Sequence, residues 1–102
     1  MAKFDIVFSE QANTDIQNLT DAIMYEYKAP ITAFRYVQGL LDEIKKLRTI
    51  AGFLPIQKST FFLQYGFNVR RSRYKKMTII YSIIGTVVYI QRVIPSTTIT
   101  EL

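Results

Sequence analysis

Asn68-Val69-Arg70-Arg71-Ser72-Arg73-Tyr74-Lys75-Lys76-Met77-Thr78-Ile79-Ile80-Tyr81-Ser82-Ile83-Ile84-Gly85-Thr86-Val87-Val88-Tyr89-Ile90-Gln91-Arg92-Val93-Ile94 is the stretch whose reading decides the fold. Five of the seven residues from Arg70 to Lys76 are basic. They run into an apolar, β-branched segment, a Gly-containing turn and a second such segment. Met77 to Ile84 is apolar on both faces and reads as a central strand; Val87 to Ile94 reads as a buried neighbour, ended by Pro95. Arg73 to Lys76 can form the hairpin turn before them, and Tyr65 to Arg71 alternates as the strand that enters it. The result is a three-stranded antiparallel meander with positive charge at its lip, a surface suited to a polyanion.

Upstream, Lys3 to Phe8 alternates as a half-buried strand with Phe4, Ile6 and Phe8 on one side. Ser9 is a candidate helix N-cap, with Glu10 in the first turn. Ala12, Ile16, Leu19, Ile23 and Tyr27 then mark one apolar helix face. Pro30 opens a second helix, whose stripe is Ala33, Val37, Leu40, Leu41, Ile44 and Leu47. The break between the helices is too short for a crossover and predicts an antiparallel hairpin. Phe53 to Gln64 has no clear period and reads as a connection packed on the core. The predicted architecture is one α+β domain over residues 1–102, in the order βααβββ, with the helix hairpin on one face of the sheet. The other face would carry Thr78 and Ser82, with Gln91 or Arg92 beside them, as a concave surface rimmed by the basic hairpin.

Composition narrows the chemistry. The 102 residues contain no Cys and no His, which removes thiolate chemistry, the usual general base and the usual metal ligands. No cofactor or metal site is expected. The N-terminus has no apolar signal core, and the longest apolar run is too short to span a bilayer, so a cytoplasmic protein without membrane contact is expected. The net charge of +5 is uneven: residues 1–50 sum to −1 and residues 51–102 to +6. That asymmetry points to a partner-facing basic surface.

In this order, four segments resemble the RelE/ParE superfamily of bacterial type II toxin–antitoxin toxins. They are the first strand leading into Ser9-Glu10-Gln11-Ala12-Asn13-Thr14-Asp15-Ile16; Ala33 with Ile44-Lys45-Lys46-Leu47; Val69 to Lys76 leading to Ile79-Ile80-Tyr81; and Val87-Val88-Tyr89-Ile90-Gln91-Arg92-Val93. The resemblance covers nearly the whole chain and implies a compact βααβββ fold. It implies one of two activities: ribosome-dependent cleavage of messenger RNA, as in RelE-like members, or binding and poisoning of DNA gyrase, as in ParE-like members. It also implies a cognate antitoxin partner, a role of the kind known as plasmid stabilisation, and assembly as a homodimer or a toxin–antitoxin hetero-oligomer.

Cleavage through a ribose 2′-hydroxyl needs a proton acceptor, a proton donor and positive charge on the phosphorane. For an mRNA interferase the expected catalytic set is Arg71, the nearest match to the family's basic residue before the hairpin, with Arg92 stabilising charge and Tyr81 or a Lys moving the proton. Arg70, Arg71, Arg73, Lys75 and Lys76 are the expected RNA-binding residues. Two positions depart from the RelE-like pattern. Thr78 stands where an Arg usually precedes the Ile-Ile-Tyr run, and the tail after Pro95 carries no Arg, His or Tyr. A gyrase-binding toxin is the second expectation, and a catalytically inactive binding member of the fold the third. Strand tyrosines such as Tyr81 and Tyr89 are commonly core residues with a bonded hydroxyl, and Arg92 has the alternative of pairing with a carboxylate such as Asp5.

Overall fold

The computed structural model describes residues 3–100; Met1, Ala2, Glu101 and Leu102, and the expectations that fall on them, lie outside the described residues. The chain forms β1 (Asp5–Phe8), α1 (Glu10–Asp21), a π-helical turn (Ala22–Glu26), α2 (Pro30–Ile50), a 3-10 turn (Ala51–Phe53), α3 (Thr60–Leu63), β2 (Val69–Tyr74), β3 (Met77–Ile84), β4 (Val87–Pro95) and a closing 3-10 turn (Ser96–Thr98). The strand order is β1-β4-β3-β2. The three late strands form the antiparallel meander, with β3 between β2 and β4. β1 adds to β4 in parallel, pairing Asp5 with Val87 through Phe8 with Ile90, so the sheet is mixed. The chain can make that parallel pairing because the helix hairpin supplies the long return connection it requires.

The helices cover one sheet face. Ala12, Leu40, Ile44 and Leu47 pack with Met77, Ile79, Tyr81, Val88, Ile90 and Val93 in one cluster. Each large side chain buried there contributes roughly 1.5–3 kcal/mol. Pro30 sits in the first turn of α2 as expected. Gly39 of α2 receives Tyr74 of β2, because a Cβ there would overlap the Tyr74 hydroxyl. Tyr74 in turn meets Tyr36 edge-on, with ring centroids 5.3 Å apart.

α1 departs from its predicted stripe at its end. The helix gives way to the π-helical turn after Asp21, and Tyr27 is 70% exposed. A π turn closes on the fifth residue instead of the fourth, so each such step rotates the following residues off the apolar face. Positive φ at Lys28 then turns the chain into α2. The meander also differs at its start. Tyr65 to Asn68 is a turn, with φ 97° at Gly66 and 58° at Asn68, and β2 runs on through Tyr74. The hairpin turn is Lys75-Lys76, with φ 53° at Lys75.

The second sheet face is not the open concave surface expected from the sequence. Phe62 of α3 is fully buried against Val69, Ile80 and Ile94, flanked by Phe61, Tyr65 and Ile99. Thr78 and Ser82 lie on this face as predicted, yet are only 3% and 5% exposed. An apolar strand such as β3 must be covered on both sides, and the irregular 53–64 connection supplies that cover.

β4 runs nine residues while β1 pairs with four, which leaves the Gln91–Val93 edge without a strand partner. The start of α1 takes its place. Ser9 N–H donates to Ile90 O at 2.9 Å. The Ser9 hydroxyl donates to Gln91 O at 2.8 Å and accepts from Ala12 N–H at 2.9 Å as the helix N-cap. Asp15 accepts from Val93 N–H at 2.9 Å and from the Arg92 guanidinium at 2.8 and 3.0 Å. Replacing Asp15 by Ala leaves a buried amide and a half-buried guanidinium unpaired, and should cost about 2–4 kcal/mol. Arg92→Ala, which keeps the Asp15–Val93 bond, should cost less. Urea unfolding of the two variants checks both the size and the order.

Candidate functional site

The five clustered cations separate by strand alternation. Val69, Arg71 and Arg73 lie on the α3 face of β2; Arg70, Ser72 and Tyr74 alternate toward the helices. The Arg71 guanidinium stacks over the Phe62 ring, 5.2 Å from its centroid. Arg73 Nε donates to Lys75 O at 2.8 Å, which fixes its stem against the turn. Arg71, Ser72, Arg73, Thr78, Ser96 and Ile99 line a cleft of about 440 Å³. At its floor the Thr78 and Ser96 hydroxyls share a 2.7 Å hydrogen bond, and Ser96 N–H donates to Lys76 O at 2.8 Å. The cleft therefore presents two guanidinium groups and two hydroxyls, a set suited to an oxyanion such as a phosphate or carboxylate.

Arg70 is spent elsewhere. It donates to Gly52 O at 2.8 Å, to Leu54 O at 2.7 Å and to Asn68 Oδ1 at 3.1 Å. Lys75 lies over the Tyr36 and Tyr74 rings, 5.4 and 5.5 Å from their centroids. Lys76 is exposed in the turn. Tyr81 is fully buried on the helix face, and its hydroxyl donates to Ala51 O at 2.8 Å. Burial pushes its pKa up to about 12, opposed in part by the nearby Arg70 charge. The pKa of Arg92 is held above its ordinary value chiefly by its hydrogen bond to Asp15. Gln91 occupies the β-bulge opposite Ile80/Tyr81 and donates to Tyr65 O at 3.0 Å and to the Ser82 hydroxyl. Among the described residues no cluster of three or more His, Cys, Asp or Glu could hold a metal ion, and no helix is long and apolar enough to cross a membrane.

No family model and no curated protein matches the sequence. Solved structures do match. The chromosomal ParDE toxin–antitoxin system from P. aeruginosa superposes with a TM-score of 0.70 over 91% of this chain and 96% of that one, at 18% identity. A point mutant of YafQ from E. coli superposes with a TM-score of 0.51 over 94% and 97%, at 17% identity. The chain shares the fold of these two structures.

On this fold, the residues expected to act together do not all meet. Arg71 and Arg73 converge on the cleft. Arg70 faces the helices because a strand cannot present consecutive side chains to one face, whereas Lys75 belongs to the turn and its positive φ lays it over Tyr36 and Tyr74. Tyr81 lies apart from Arg71 and Arg73: its odd position in β3 places it in the helix-side core with Ile79. Arg92 is paired with Asp15, not with Asp5, so most of its charge is compensated within the fold. Three contributors were missed. Phe62, Ser96 and Asp15 act through contacts between segments far apart in the chain; Phe62 was legible only within the aperiodic Phe53–Gln64 connection, and Asp15 only within the first segment of the family resemblance. Thr78, read as the loss of an Arg, is a cleft hydroxyl.

Tyr81 also makes stability depend on pH. Its folded pKa lies above the ordinary tyrosine value of 10, so its contribution is complete below pH 10 and is lost as pH rises through about 12. A shift of that size corresponds to about 2–3 kcal/mol. The difference in urea-unfolding free energy between the parent chain and Tyr81→Phe should shrink by roughly that amount between pH 9 and pH 12.

Proposed function

We propose that this chain is the toxin of a type II toxin–antitoxin pair and that it acts by binding its target, not by cutting RNA. The observation that carries this reading is the disposition of the proton-handling candidates. The Tyr81 hydroxyl is committed to Ala51 in the core, and Arg92 is committed to Asp15. The cleft is lined by the Arg71 and Arg73 guanidinium groups and the mutually bonded Thr78 and Ser96 hydroxyls, and a guanidinium stays protonated at any physiological pH. Such a set holds an anion well and abstracts a proton poorly. Of the two activities that the sequence resemblance implies, binding and poisoning of DNA gyrase asks only for recognition. The Arg71/Arg73 cleft would then grip a phosphate or carboxylate of the target. A small cognate antitoxin would neutralise the chain.

Expression in a bacterial host without the antitoxin tests the reading. Growth arrest with DNA-damage signalling and intact transcripts is the expected result. Shortened ribosome-bound transcripts would instead assign RNA cleavage, with the exposed Lys76 as proton carrier beside the cleft. No growth defect under confirmed expression of folded protein would remove the toxin assignment. Arg71→Ala combined with Arg73→Ala should weaken growth inhibition at least tenfold and leave thermal unfolding within a few degrees of the parent chain.

A further inference from the structure

β1 is an edge strand, paired only with β4. Asp5 N–H donates to Thr86 O and Ser9 N–H to Ile90 O, both at 2.9 Å, so the odd-numbered residues of this segment turn their backbone groups toward β4. Successive residues of a strand alternate edges, and the amides and carbonyls of Phe4, Ile6 and Phe8 therefore face away from β4. Phe4 N–H takes that direction, donating to Arg48 O of α2 at 2.8 Å. Beyond Phe4 the edge is open. Among the described residues, no backbone group pairs with the outward groups of Ile6 or Phe8. Alongside runs a groove of about 410 Å³, lined by Ile6 and Phe8 of β1 and by Leu41, Ile44, Lys45 and Arg48 of α2. The four α2 residues stand at i, i+3, i+4 and i+7, on one face of the helix.

The groove joins three recognition elements in one place. Ile6, Phe8, Leu41 and Ile44 make its apolar side, and the exposed Lys45 and Arg48 its charged side. Asp5 is the one carboxylate in the lining, so cations exceed acids by two to one. Among the described residues neither Lys45 nor Arg48 pairs with a carboxylate. The third element is the row of outward amides and carbonyls on β1. A helix laid in the groove would shut water out and leave those groups unpaired, which is unfavourable. A strand added along β1 pairs them, and its alternate side chains then face α2. A second copy offering its own groove would set Lys45 and Arg48 against the same cations, in a chain of net charge +5. An acidic strand meets all three elements.

We propose that the β1 edge and the groove beside it take up an extended, acidic segment of a protein partner by β-strand addition. The segment's backbone pairs with Ile6 and Phe8, its alternate apolar side chains enter the groove over Leu41, and its carboxylates answer Lys45 and Arg48. The site is separate from the Arg71/Arg73 cleft, because β1 and β2 are opposite edges of the sheet. The probe is a synthetic peptide of about eight residues that alternates Val with Glu, offered to the full chain. One control peptide carries Lys in place of Glu. A second carries two successive central prolines, one of which must fall on a pairing position and lacks the N–H to pair. The protein variant is Lys45→Glu combined with Arg48→Glu, both exposed positions. Binding is followed by fluorescence anisotropy, the Ile6 and Phe8 amides by hydrogen exchange, and mass by sedimentation.

The expected result is a monomer that binds the Val/Glu peptide and slows exchange at Ile6 and Phe8 on binding. The proline peptide, the Lys peptide and the charge-reversed variant should each weaken binding by about tenfold. No binding of the Val/Glu peptide at about 1 mM overturns the inference. Binding that the charge-reversed variant leaves unchanged places the peptide elsewhere and also overturns it. Equal binding by the proline peptide, without exchange protection at Ile6 and Phe8, assigns the groove to a segment that is not a strand and overturns strand addition. A parent dimer whose Ile6 and Phe8 protection is lost on dilution overturns it in favour of a self-interface. The exchange measurement on the parent chain decides the matter even where the variant fails to fold. None of these readouts depends on growth arrest, so the strand-addition site and the toxin reading can fail separately.

Discussion

Asp15 closes a gap that the sheet cannot close for itself. Among the described residues β4 is the only strand paired on both sides with strands from opposite ends of the chain, and β1 covers less than half of its length. In the uncovered half, the exposed ladder groups of Ile90, Gln91 and Val93 must be satisfied or hydrated. Ser9 and Asp15 satisfy them from α1, and in doing so they fix the angle at which the helix leaves β1. The same carboxylate pairs with Arg92. The N-terminal strand, the first helix and the last strand are thereby one unit, although Asp15 and Val93 are 78 residues apart.

That closure has a direct consequence for the chemistry available. An Arg that completes a sheet edge is not available to stabilise charge on a substrate without opening the edge. A similar exchange occurs at Arg70, whose bonds hold the segment after α2 against the start of β2. Of the positive charge concentrated in the second half of the sequence, a part therefore works as structure. Arg71 and Arg73 line the cleft between Phe62 and Ser96. The cleft exists because Phe62 fills the centre of the face and stops short of the hairpin end.

The two ends of the β2–β3 hairpin consequently differ in character. One carries Arg71, Arg73 and the exposed Lys76; at the other, Phe67 and Ile84 are 97% and 65% exposed.

The sequence by itself determined the element order, the meander with β3 at its centre, the N-cap at Ser9 and the second helix from Pro30, because these depend on local periodicity, capping chemistry and proline geometry. It also located the basic segment and its partner-facing potential, through charge asymmetry alone. Only the tertiary structure decided that β1 runs parallel to β4, that Phe62 covers the second face, that Tyr81 lies in the core and that Arg92 answers Asp15. Each of these depends on which distant segments share a surface. A side chain's period within its own strand says which neighbours it lines up with, while what covers that face is set by residues elsewhere in the chain. The division of the five cations between structure and cleft follows from the same fact: alternation sends them to two faces, and the tertiary contacts then decide which face is left open.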